Sequence, residues 1–125
     1  MPPTVLAPTF LAVMGAAVVC FWIAAAKKRD ARLHVRFALI GAGLDVFGTL
    51  TVFVTGRFLG WTVPAAVPAV ALVHRVFAYV ATALLLVQAA TGFLHVRAHP
   101  ALGVLFLLVV TVTYGLAIWA YGLGS

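Results

Sequence analysis

A chain of 125 residues in which 66% are hydrophobic and only 8% are charged carries more apolar surface than a soluble domain of that size can cover. This excludes a water-soluble globule and defines an integral membrane protein. The formal charge of +6 does not mark a nucleic-acid-binding face, because the basic residues stand at the ends of apolar runs.

The opening MPPTVLAPTF has no basic n-region, and the apolar run after it is too long for a signal peptide, so residues 4–26 are expected to form a retained first span. Pro8 falls in its first turns, where a missing amide proton is tolerated. Cys20, the sole cysteine, excludes an intramolecular disulfide and reads as packing. Lys27, Lys28, Arg29, Asp30, Arg32 and Arg36 then crowd into a connection with the character of a cytoplasmic loop. A second span is expected over residues 37–56, interrupted only by Asp45 and closed by Arg57. The segment FLGWTVPAAVP mixes turn and interface residues and reads as an outer loop. The third span is expected over 68–95 with Pro68 in its first turn, and at about 28 residues it must tilt or protrude. A short inner connection from His95 to Pro100 leads to a fourth span over 101–121, whose outer end is marked by Trp119 and Tyr121.

Lys27, Lys28, Arg29, Arg32, Arg36 and Arg97 lie in the proposed inside loops, against Arg57 and Arg75 outside, which orients both termini outside. The expected fold is therefore all-α: a single-domain, polytopic four-transmembrane-helix bundle, multi-pass, in a bacterial cytoplasmic membrane.

Polar groups inside the spans carry the chemistry. His74, Ala81, Gln88 and His95 are spaced by sevens, so on a helix they drift by only about 20° per step and share one face. At about 1.5 Å per residue the two histidines lie roughly 31 Å apart, on opposite membrane surfaces. Asp45 near a helix centre costs about 2.5 to 3.5 kcal/mol on insertion scales, so something must offset it. It shares a stripe with His34, Gly41 and Gly48, and Gln88 or Thr91 lie near its depth. Two roles follow for it: a neutral carboxyl that glues helices, or a proton relay or cofactor contact.

His34, His95 and His99 share the cytoplasmic boundary, and His74 stands alone at the outer one. A bis-histidine haem b needs two imidazoles at one depth on facing helices, which His34 with His95 or His99 can supply and His74 cannot. His95 and His99 have i, i+4 spacing for a metal clamp, but Pro100 disfavours a helix through His99. Histidines that simply meet headgroups and water are the competing reading at every position. No G-x-S-x-G, P-loop, HExxH, Cys-x-x-Cys or GxGxxG occurs, and two acidic residues exclude paired-carboxylate catalysis, so a stand-alone enzyme is not expected.

KKRDARLHVRFALIGAGLDVFGTL, the helix opened by His74, and His99 followed by LLVVTVTYGLAIWAYG resemble a family of small histidine-containing membrane proteins that still carries the name of a domain of unknown function. Some of its members are associated with assembly of haem-copper cytochrome oxidase. The resemblance rests on Leu33-His34 after a basic loop, on His74 in the outer part of a later span, and on His99 ahead of a last span with Thr113, Gly115 and Tyr121. It implies an integral membrane assembly factor or accessory protein for a haem-containing respiratory oxidase. A small b-type cytochrome with one haem at His34 and His95 or His99, and a purely structural subunit, are the alternatives. The lipid bilayer is the obligatory partner, an oxidase or haem protein is the partner the resemblance implies, and self-association stays open. Nucleic acid is not expected.

The charge asymmetry makes a direct prediction. In intact cells a cysteine at position 31 stays protected from a membrane-impermeant thiol reagent while one at position 65 reacts, and the reverse pattern means the orientation is inverted.

Overall fold

The computed structural model describes residues 3–61 and 63–122. It contains α1 (Pro3–Ala26), α2 (Ala31–Phe58), α3 (Pro68–Phe93) and α4 (His99–Ala117), with a short π-helical turn, Ile118–Gly122, continuing α4. All four α-helical segments are long and apolar enough to cross a membrane. No strand occurs among the described residues. Large side chains such as Phe47, Phe53, Leu72, Leu86 and Leu108 point outward and exposed, as lipid-facing residues of a bundle do.

The boundaries beside the charged connections differ from the sequence expectation for local reasons, and α4 begins at His99 instead of residue 101, because a proline is tolerated in the first turn of a helix. The basic connection is only residues 27–30, because Asp30 caps α2: its carboxylate accepts from the Leu33 N–H at 3.2 Å, and Arg32, His34 and Arg36 ride on the first turns of the helix. Long basic side chains there can reach water from a helical backbone, so charge density alone did not mean loop. At the other boundary α3 stops at Phe93, two residues before His95. The Val96 N–H returns to the Thr91 carbonyl at 2.9 Å and the His95 N–H to Gly92 at 3.3 Å, with His95 left-handed at φ 53°. This is a Schellman cap with histidine where glycine is usual. The turn separates His95 from His99, so the i, i+4 clamp does not form.

At the opposite end α2 closes on left-handed Gly60 (φ 65°), with the Leu59 and Trp61 N–H groups both returned to Thr55. The Ala66 N–H then donates to the Ala120 carbonyl at 2.8 Å, tying the 59–67 connection to the π turn.

The packing order is α2 on α1, α1 on α4, and α4 on α3, so the molecule is two helical hairpins joined through α1 and α4. The core of that junction is Phe21 edge-to-face with Phe106 at 4.8 Å, flanked by Ala17, Val18 and Val110. The Tyr114 hydroxyl donates to the Leu11 carbonyl at 2.9 Å, and the Trp22 indole N–H donates to the Thr111 hydroxyl at 3.0 Å. The Gly41 and Gly48 stripe does admit a close neighbour, and that neighbour is α1: a Cβ on Gly41 would lie 2.9 Å from the Phe21 ring and 3.2 Å from the Ala17 carbonyl oxygen. α2 and α3 do not pack along their length.

This contact is testable against an internal control. Gly41→Ala forces α1 and α2 apart and is expected to cost about 1–3 kcal/mol, as overpacking does, whereas Gly43→Ala, which meets nothing within 4 Å, leaves thermal stability in detergent at or above wild type.

Candidate functional site

Among the four histidines, the fold brings His34 and His99 together. His34 is on the first turn of α2 and His99 is the first residue of α4, and their ring centres stand 6.4 Å apart with the planes at 89°. They come from two helices that otherwise do not pack, so the pair bridges a seam between the hairpins.

Each ring is held by its Nδ1. The His34 Nδ1–H donates to the Ala24 carbonyl at 2.8 Å, one of the four carbonyls left open at the end of α1. A carbonyl can only accept, so Nδ1 carries a proton, and in the neutral ring Nε2 then carries the lone pair. No described residue bonds that nitrogen. Beside His99, the single hydroxyl proton of Thr91 goes to the Gln88 main-chain carbonyl at 3.2 Å. The hydroxyl oxygen therefore accepts from the His99 Nδ1–H at 3.0 Å, and the Gln88 side-chain amide donates to the His99 Nε2 at 3.3 Å. Gln88 thus sits as a weak cap on the lone pair of His99. Its own Oε1 is buried with no hydrogen-bond partner among the described residues, an uncompensated polar atom in an apolar setting. Space for the cluster comes from Gly92, where a Cβ would lie 2.9 Å from the His99 ring, and Gly103, where one would lie 2.7 Å from the Gln88 amide nitrogen.

The remaining predicted site residues lie elsewhere. His95 is exposed and serves as the helix cap described above. His74, at the far end of the bundle, donates from Nδ1 to the Thr113 carbonyl at 2.9 Å and stands edge-to-face with Tyr121 at 5.9 Å. Asp45 is buried on α2 but does not meet Gln88 or Thr91, which are committed to His99. It borders a cleft of about 160 Å³ between α2 and α3, with Thr49 and Thr82 as the polar neighbours, and makes no side-chain hydrogen bond or ion pair among the described residues.

The sequence does not present Thr91, His99 and Gln88 as a unit. Its signal is the antiparallel symmetry of α3 and α4 about the turn at residues 94–98, which puts the last turns of one helix beside the first turn of the next. Among the described residues no group of three or more His, Cys, Asp or Glu side chains forms a metal cage. The 6.4 Å ring-centre separation is that of an edge-to-face ring contact, and both nitrogens of His99 are engaged by Thr91 and Gln88, so the two imidazoles could share a ligand only after Gln88 gives up His99.

The class of molecule defined so far is a four-span α-helical membrane protein with a paired-imidazole site at its basic end. No protein-family model, curated protein or solved structure matches the chain.

Asp45 supplies a prediction that follows from its lack of a bonded partner. Replacing it with Asn or Leu removes no hydrogen bond, so both variants keep at least wild-type thermal stability in detergent, with the Leu variant gaining about 1 kcal/mol from losing an unpaired polar group. A Leu variant clearly less stable than the Asn variant would show that the carboxyl is holding helices together.

Proposed function

We propose that this protein is an accessory factor for a haem-containing respiratory oxidase and that its working site is the His34–His99 pair, where a metal-bearing group is held transiently. The observation that supports this reading is the unequal state of the two Nε2 atoms: that of His34 is open, and that of His99 is covered by a 3.3 Å amide bond that a ligand can displace. A site built for permanent ligation has no reason to carry a competing donor on one ligand. A site that loads and unloads does, because the cap satisfies His99 in the empty state and leaves only a modest cost to overcome on loading.

His34 and His99 would be the ligands, Thr91 and the Ala24 carbonyl would orient them from behind, and Gln88 would compete for one of them. Bound haem would supply iron redox and ligand-exchange chemistry to this end of the membrane. Lys27, Lys28, Arg29, Arg32, Arg36 and Arg97 are all exposed at the same end and complement the carboxylates that a haem carries.

The pairing of two imidazoles also favours a second reading, a resident b-type cytochrome. Haem titration of the purified protein separates the two. The accessory reading expects substoichiometric haem as purified, a Soret band that grows on adding haem b and is lost in His34→Ala and His99→Ala, and about fivefold tighter binding in Gln88→Ala, the equivalent of one ordinary hydrogen bond. Stoichiometric, tightly held haem in the wild type would establish the cytochrome instead. Absence of any Soret change, together with unaltered oxidase activity in cells carrying either histidine variant, would leave the pair a structural contact.

A further inference from the structure

At the end of the bundle opposite the imidazole pair, a second site is built by residues 63–67, the first turns of α3 and the π turn after α4. It is a cavity of about 370 Å³ lined by Val63, Ala65, Pro68, Leu72, Arg75 and Tyr121, among others. Its apolar wall belongs to the loop and to α3, and its polar groups are one guanidinium and one phenol. The loop side is fixed by the Ala66 and Val67 N–H groups, both directed at the Ala120 carbonyl, so the cavity is a formed feature of the fold.

Among the described residues the charge of Arg75 has no acidic counterpart. The sequence contains two acidic side chains: Asp30 caps α2 at the other end of the bundle, and Asp45 borders the cleft between α2 and α3. Among the described residues Arg75 makes no ion pair or cation–π contact, whereas Arg57, the other cation at this end, lies over the Phe58 ring at 5.9 Å. A cavity that is apolar on one side and lined by an unpaired guanidinium and a phenol on the other matches an amphiphile with an anionic head. At the end of four apolar spans, the source of such an amphiphile is the bilayer.

We propose that this cavity binds the phosphate of an anionic phospholipid, with Arg75 as its counter-ion, Tyr121 as a polar neighbour and the Leu72–Pro68 wall against the lipid's apolar part. Arginine suits the task because its fork of donors matches phosphate oxygens. Tyr121 is also the ring that stands against His74, so the occupied cavity shares a wall with the histidine of this end. The site is independent of the imidazole pair and of the function proposed for it.

The test uses the full chain in mild detergent, titrated with phosphatidylglycerol, phosphatidylcholine or inorganic phosphate and followed by thermal unfolding and by lipid retention in native mass spectrometry. Wild type is expected to be stabilised and to retain lipid with phosphatidylglycerol in preference to phosphatidylcholine. Arg75→Gln is expected to weaken phosphatidylglycerol binding about tenfold, the scale of a lost charge-assisted contact, with unchanged helical content by circular dichroism, while Arg57→Gln retains the preference. Equal response to the two lipids overturns the proposal, as does equal loss in Arg57→Gln. A shift reproduced by inorganic phosphate alone overturns the assignment to lipid.

Discussion

The junction of α1 with α4 is the contact on which the architecture depends. Phe21 and Phe106 meet there, and the Tyr114 hydroxyl and Trp22 indole each find an acceptor across it. Between helices in lipid there is little hydrophobic driving force, so association rests on close packing and on hydrogen bonds that cross the interface. α1 meets both needs: its small residues and Phe21 receive the glycine stripe of α2 on one side, and its Leu11 carbonyl receives Tyr114 on the other. Because the hairpins join along this one line, α2 and α3 stay apart, and the cleft bordered by Asp45 and the seam bridged by His34 and His99 are consequences of that arrangement.

The polar groups within the spans follow a common rule: where bonded partners are found, most are backbone carbonyls. His34 closes the end of α1, His74 takes the Thr113 carbonyl, and Thr55, Thr82, Thr111 and Thr113 each return their hydroxyl to the preceding turn. In a medium without water each such bond removes a cost of a few kcal/mol for a bare polar group. A histidine anchored by Nδ1 in this way keeps Nε2 without a bond among the described residues, so the device that satisfies the ring also leaves a ligand atom over. Structural and functional readings of His34 and His74 are for this reason compatible: the second uses the nitrogen that the first leaves over.

The two ends of the bundle are chemically distinct. One gathers six exposed cations around a paired-imidazole site, and the other sets a single unpaired Arg75 beside an apolar cavity. His99 is fully bonded within its own hairpin through Thr91 and Gln88, while His34 belongs to the other hairpin. A group bound between them would therefore tie together two halves that the protein itself joins only through α1 and α4.

The sequence by itself determined the four apolar spans, their order and the grouping of charge at one end, because hydropathy over about 20 residues and the position of cations are local properties that any membrane fold must respect. It also brought His34 and His99 to one level, since both flank short connections on the same side. It did not determine the ends of the helices near charge, where the Asp30 cap and the His95 left-handed turn outweighed the average character of the segment. Nor could it assign partners across helices. Gly41, Asp45 and Gly48 read as one stripe, but only the packing decided that α1 fills it, that α3 stays away, and that Gln88 turns to His99 and leaves the Asp45 carboxyl without a bonded partner among the described residues. The physical reason is that in an all-apolar sequence every helix face is equally suited to lipid, so the choice of which faces meet rests on the fit of a few small residues and polar atoms that become neighbours only in three dimensions.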